Sequence, residues 1–169
     1  VYKRQIHNLR ARHYGCVLTI GNFDGVHRGH QRLLERLKQE GAARGLPVMV
    51  MIFEPQPLEL FSHEQAPVRL TRLRDKVSAL THAGVDYLLC VKFDAAFAAN
   101  NAHTFVQHLL VEKLGVKFLV VGDDFRFGAG RNGDFLLLQE AGVKNGFEVI
   151  STATFCNGCL LYTSDAADD

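Results

Sequence analysis

The fold this sequence predicts is a doubly wound α/β domain built on a parallel sheet. Two observations carry that reading. β-Prone apolar runs alternate with stretches of helical periodicity along the chain, and Pro47 to Phe53 is apolar without a break, as a strand buried on both faces should be. Glycines at Gly45, Gly84 and Gly115 stand where the intervening helices should stop.

Cys16 to Ile20 reads as the first strand, and the glycine-spaced turn after it leads into a helix whose apolar positions recur through Gln31 to Lys38. Pro47 to Phe53 is the second strand, closed by Pro55 and Pro57, which cannot continue a ladder. Leu58 to Phe61 forms at most a short turn. Thr71 is a plausible cap for a helix over Arg72 to Ala83, and Val85 to Val91 is the third strand. Phe93 to Asn101 reads as a loop with a helical turn. Ala102 to Leu114 follows as a helix with Phe105, Val106, Leu109, Leu110 and Leu114 on one face. Val116 to Val121 is the fourth strand, Phe135 to Ala141 a helix, and Phe147 to Ser151 the fifth strand. Alternation of this kind predicts a Rossmann-like, five-stranded parallel sheet of order 3-2-1-4-5 with right-handed crossovers.

At 169 residues, 47% hydrophobic and 22% charged, the chain suits one globular domain. A net charge of +1 provides no basic stripe for nucleic acid, and no apolar run reaches membrane-spanning length. Small anionic molecules are the expected partners. Four cysteines in a βα pattern without a leader-like segment suggest free thiols and a cytoplasmic location. Cys156 and Cys159 form a CxxC, but with no second pair a zinc or redox reading has little weight.

The two ends read as foreign to the fold. Val1 to Gln5 can be encoded by DNA whose reverse complement, read one base in, translates as Cys-Leu-Leu-Tyr, matching Cys159 to Tyr162. Such an inverted pair resembles a transposase adapter. Ser164 to Asp169 is a small acidic run without pattern. One domain over residues 6–158 is therefore expected, with 1–5 and 159–169 as non-native ends.

Two glycine-rich stretches carry the chemistry. In the first, Thr19 to His30, Gly21, Gly25 and Gly29 let backbone approach an anion at a strand-to-helix turn, where helix N–H groups and the dipole favour phosphate. No Gly-Lys-Ser/Thr follows, so it is not a P-loop, and the Gly-x-Gly-x-x-Gly order of dinucleotide folds is absent. His27 and His30, three apart near a helix start, are spaced so that both imidazoles can face one ligand. Two histidines fill only half of a zinc shell, and no Cys or acid stands beside them at ligand spacing. The second stretch, Gly122 to Asp134, follows strand four, which the order 3-2-1-4-5 places beside strand one at the switch point. Asp123 and Asp124 suit ribose hydroxyls or a hydrated metal, and Arg126 and Arg131 suit phosphate; a solvated glycine-rich turn is the alternative.

The His-x-Gly-His element resembles the signature of nucleotidyltransferases that hold the triphosphate of ATP. The longer run Gly-Asn-Phe-Asp-Gly-Val-His-x-Gly-His is similar to that of bacterial FAD synthetases, the adenylyltransferase half of the bifunctional riboflavin kinase/FMN adenylyltransferase family. Gly-Asp-Asp-Phe-Arg-Phe-Gly, followed by Gly133-Asp134, is similar to that family's second signature. Phe53 to Pro57, Arg69 to Thr71, Gly84 to Tyr87 and Phe93 to Ala98 follow in the family's order, so the resemblance covers nearly all of Ile6 to Thr154. It implies an HxGH-type fold that joins FMN and ATP into FAD and pyrophosphate. His27 and His30 would be catalytic. Gly21, Asn22, Phe23, Asp24, Gly25, Gly29, Asp123, Asp124 and Arg126 would bind ATP and its phosphates. Phe53, Pro55, Pro57, Phe97, Phe127 and Arg131 would contact flavin, although for Phe53 and Phe97 a place in the core is the leading reading, since buried aromatics are common. Mg²⁺ would come with the phosphates, its protein ligands unknown. A riboflavin kinase domain is implied C-terminally. The family's later Ser/Thr-rich motif with an arginine has no match, which marks the domain as truncated. The alternatives are another HxGH nucleotidyltransferase, acting on phosphopantetheine or a nicotinamide mononucleotide, and a nucleotide-binding module without turnover.

Overall fold

The computed structural model describes residues 5–6, 14–21, 23, 28–54 and 73–155. Its sheet is parallel throughout and contains β1 (Gln5–Ile6), β2 (Cys16–Ile20), β3 (Val48–Glu54), β4 (Tyr87–Lys92), β5 (Val116–Val121) and β6 (Glu148–Ser151), in the order β1-β4-β3-β2-β5-β6. The five longer strands stand in the order expected from the sequence. The addition is β1, where Gln5 pairs with Leu88 and Ile6 with Leu89 at the outer edge of β4. Two residues are too few to show a periodic pattern, and Gln5 falls in the stretch 1–5 expected as a non-native end, which is why this strand was not anticipated.

Alternate residues of each central strand point to opposite faces. Cys16, Leu18 and Ile20 of β2, with Met49, Met51, Leu119 and Val121, join one buried cluster. Val17, Val48, Val50, Ile52, Phe118 and Val120 join the other. Helices α1 (Arg28–Arg44) and α2 (Leu73–His82) cover the second face through Leu33, Leu34, Leu37, Val77 and Leu80. On the first face lie α4, running from Ala102–Thr104 into Phe105–Lys113, and α5 (Phe135–Asn145). A sheet covered on both faces must bury both sets of side chains, so the near-continuous apolar runs follow from the architecture.

The short helix α3 (Ala95–Ala98) begins where Asp94 accepts a hydrogen bond from the Phe97 N–H at 2.8 Å. Helix α4 begins likewise at Asn101, which accepts from Thr104 N–H at 2.7 Å. Beyond its first turn α4 is wound as a π-helix, ending with Leu114 N–H on Leu109 O, five residues back. The helix was expected; its wider winding was not, because apolar residues at 105, 106, 110 and 114 suit either pitch. No helix among the described residues is long and apolar enough to cross a membrane.

Candidate functional site

From β2 the chain runs to β3 and then β4 on one side, and later returns to place β5 on the other side of β2. The strand order therefore reverses between β2 and β5. Thr19 pairs with Val120, and its buried Oγ1 donates to Val120 O at 2.9 Å. The loop from Gly21 and the loop from Gly122 thus leave neighbouring strands at the same end of the sheet, where open α/β sheets bind ligands.

Gly21 N–H still donates to Met51 O at 3.2 Å, so the ladder runs one residue past β2 before the chain turns. Phe23 then takes a left-handed backbone, φ 51°, uncommon for a bulky side chain. That conformation folds its ring back into the protein, where it is buried, against Gly21 and against the His30 ring at a centroid distance of 4.8 Å. His30 lies half-buried in the first turn of α1, with Gly29 before it. Its position is therefore set by a helix end on one side and an aromatic ring on the other. The positive end of a 17-residue helix faces the turn after β2. His27, Asn22, Asp24, Gly25, Pro55 and Pro57, expected in the site, lie outside the described residues.

The opposing loop is closed on itself. Gly122 O accepts from Phe125 N–H at 3.1 Å, and Phe127 and Gly133 exchange two backbone hydrogen bonds, at 3.1 and 2.8 Å. Two glycines make this closure possible. A Cβ on Gly133 would stand 2.5 Å from the Phe127 ring, and one on Gly128, whose φ is 79°, would stand 2.6 Å from the Ala102 nitrogen. Ala129 N–H also donates to Asn100 O at 2.7 Å, which fastens the loop to the start of α4. Asp123, Asp124 and Arg126 are exposed on its rim, and so is Arg131, with φ 55°. Arg126 lies 3.8 Å from Asp134, whose other oxygen accepts from Leu137 N–H at 2.9 Å and caps α5.

An aromatic layer links these loops. Phe53, Phe93 and Phe97 are mutually 5.6 to 5.8 Å apart; Phe97 continues to Phe105 at 6.3 Å, Phe105 to Phe127 at 5.0 Å, and Phe127 stacks on Phe125 at 5.6 Å. Phe53 and Phe127 are buried, while Phe93, Phe97 and Phe125 keep part of their surface. Of the three aromatics expected near flavin, only Phe97 thus offers an appreciable open face. The part of Phe93 and Phe105 in this aromatic layer, the capping roles of Asp94 and Asp134, and the Phe23–His30 contact were not read from the sequence. The caps had a local signal, an Asp three residues before a helical N–H, but the ring contacts join distant segments and had none.

Chemically, the arrangement is an open α/β sheet whose switch point carries a helix end, an imidazole and a rim of carboxylates and guanidinium groups, the equipment of a nucleotide-binding domain. The profile described as FAD synthetase matches residues 9–164, a span that runs past the Gly158 expected as the last native residue. The chain belongs to the FAD synthetase family. It is 64% identical over 164 residues to the bifunctional riboflavin kinase/FMN adenylyltransferase of Escherichia coli (strain K12), covering 96% of this chain and 52% of that one. With the protein of the same name from Pseudomonas fluorescens it shares 52% over 151 residues, 89% of this chain and 48% of the other. The chain thus spans about half the length of these curated relatives. A solved structure described as a macrolide-efflux protein from Streptococcus pneumoniae superposes with a TM-score of 0.68 at 22% identity, over 87% of this chain and 49% of that one, a likeness of fold alone.

Proposed function

We propose that this chain transfers the adenylyl group of ATP to FMN, giving FAD and pyrophosphate. The observation that carries the proposal is that the two loops resembling the family's signatures leave adjacent strands, β2 and β5, at the switch point of the sheet. Family membership supplies the substrates, since the relatives are named for FMN adenylylation and for riboflavin kinase activity. The other half of such a protein would make FMN, and this half would consume it.

A phosphate oxygen of FMN, already anionic at neutral pH, attacks the α-phosphorus of ATP. The new oxygen–phosphorus bond forms as the bond from the α-phosphorus to the bridging oxygen breaks, and pyrophosphate leaves with that electron pair. No general base is required, so catalysis consists of placement and charge neutralisation. His30, braced by Phe23, donates to the phosphate oxygens, with His27 as its companion and the α1 end and Gly29 beside them. Asp123 and Asp124 take ribose hydroxyls or waters of the cation, and Arg126 takes phosphate. Mg²⁺ would come with the phosphates of ATP and supply charge neutralisation there. Phe97 would offer its open face to the flavin ring.

The test is direct. The chain, and a version extended to the full length of its relatives, are incubated with FMN, ATP and Mg²⁺, and FAD and pyrophosphate are measured by chromatography. Formation of FAD by the extended protein is expected. Binding of ATP without FAD formation would leave a nucleotide-binding module, and adenylylation of phosphopantetheine or nicotinamide mononucleotide in place of FMN would reassign the substrate.

A further inference from the structure

We propose that Asp134 is a positioning residue that holds Arg126 in reserve and yields it to nucleotide phosphate, an inference that rests on the adenylyltransferase reading. The two oxygens of this carboxylate have separate duties. Oδ1 accepts from Leu137 N–H at 2.9 Å and starts α5, while Oδ2 stands 3.8 Å from the Arg126 guanidinium. The first contact is a short helix cap. The second is at the long limit of an ion pair, between side chains 49% and 41% exposed, and pairs of that kind are weak. A phosphate brings more charge than one carboxylate and accepts two parallel guanidinium hydrogen bonds, so it outcompetes Oδ2 for Arg126. The loop supports such an exchange. Its backbone is pinned by the Phe127–Gly133 pair and by Ala129 N–H on Asn100 O, so Arg126 changes partner by side-chain rotation with the loop in place. Asp134 itself stays on α5, because its cap does not depend on the arginine.

The substitution Asp134→Asn separates the two duties, since asparagine caps a helix as well as aspartate but does not compete for a cation. Mg·ATP affinity of the chain is measured by titration calorimetry, and melting temperature is recorded alongside. Asp134→Asn should bind Mg·ATP about threefold to fivefold more tightly, the most that release from a surface pair yields, at an unchanged melting temperature. In an Arg126→Ala background the same change should give less than about 1.5-fold. Asp134→Ala, which also loses the cap, should melt lower. Unchanged affinity in Asp134→Asn overturns the proposal and leaves Asp134 as a cap only. An equal gain with and without Arg126 also overturns it, because simple repulsion between Asp134 and the nucleotide then accounts for the effect. Failure of the parent chain to bind Mg·ATP also overturns this inference, while the adenylyltransferase reading is decided separately by FAD formation in the extended protein; binding with no Asp134 effect removes this inference alone.

Discussion

Phe23 occupies a backbone region that costs a bulky residue about 1 kcal/mol or more, and the return is a ring held between Gly21 and His30. The imidazole is thereby confined before any ligand arrives, which is what a charge-stabilising donor requires. In the extended protein, His30→Ala should lower adenylyl transfer by roughly a hundredfold, the usual loss for one such donor, and unfolding curves should shift little. A collapse of the melting temperature with proportionate loss of activity would make His30 a core residue. Cys16 provides a second residue-scale expectation. Burial pushes its thiol up from 9.0 to about 12, so at pH 8 it should resist thiol reagents until the protein unfolds. The sign of the linkage follows. In the unfolded chain the thiol ionises first, so the folded state binds more protons above pH 9, and stability falls as pH rises from there towards 12, by at most about 1.4 kcal/mol per pH unit from this group. Urea midpoints of the parent and of Cys16→Ala, compared at pH 8 and 10.5, should converge on the alkaline side.

The β5–α5 loop shows how an element can be fixed by what its residues lack. Gly133→Ala would drive a Cβ into the Phe127 ring at 2.5 Å, and Gly128→Ala would meet backbone at Ala102 while requiring φ 79°. Each should cost on the order of 1–3 kcal/mol in chemical denaturation. Gly130→Ala, where the nearest atom is a side-chain nitrogen of Asn132 at 3.4 Å, should cost less despite its own positive φ. If all three cost the same, the loop is not held by the packing described. Across the sheet, Thr19→Val should remove the hydroxyl bond to Val120 O and cost roughly 0.5–1.5 kcal/mol. Neither the loop closure nor this bond is visible in local sequence, because each depends on residues brought together by the topology. The π-winding of α4 was hidden for a different reason: helical pitch is decided here by packing of Phe105, Val106 and Leu110 into the core, and the apolar pattern tolerates both pitches.

At the scale of the whole molecule, strand positions and their order were legible because a doubly covered parallel sheet imposes apolar runs, helix periodicity and stop glycines in strict alternation. The strand-to-helix turn that carries Gly21, Gly29 and His30 was legible from its glycine spacing between an apolar run and a helical one. The division of the phenylalanines into buried and open faces was not, since Phe53, Phe97 and Phe127 are alike as letters and differ only in depth. The topology that joins β2 to β5 has a further consequence, which concerns time. Thr19 and Val120 are 101 residues apart, yet their strands lie side by side and lead into the two loops at the switch point. At a synthesis rate of about 5–20 residues per second, on the order of ten seconds separate the emergence of the first strand from that of the second. During that interval β2 has its α1 side but no β5 beside it, and contacts so remote in sequence are slow to close even afterwards. A ligand held across the β2–β5 switch point could therefore not act as a template for the early chain: it would meet a site that exists only once the sheet is nearly complete, and its binding would reward the finished fold.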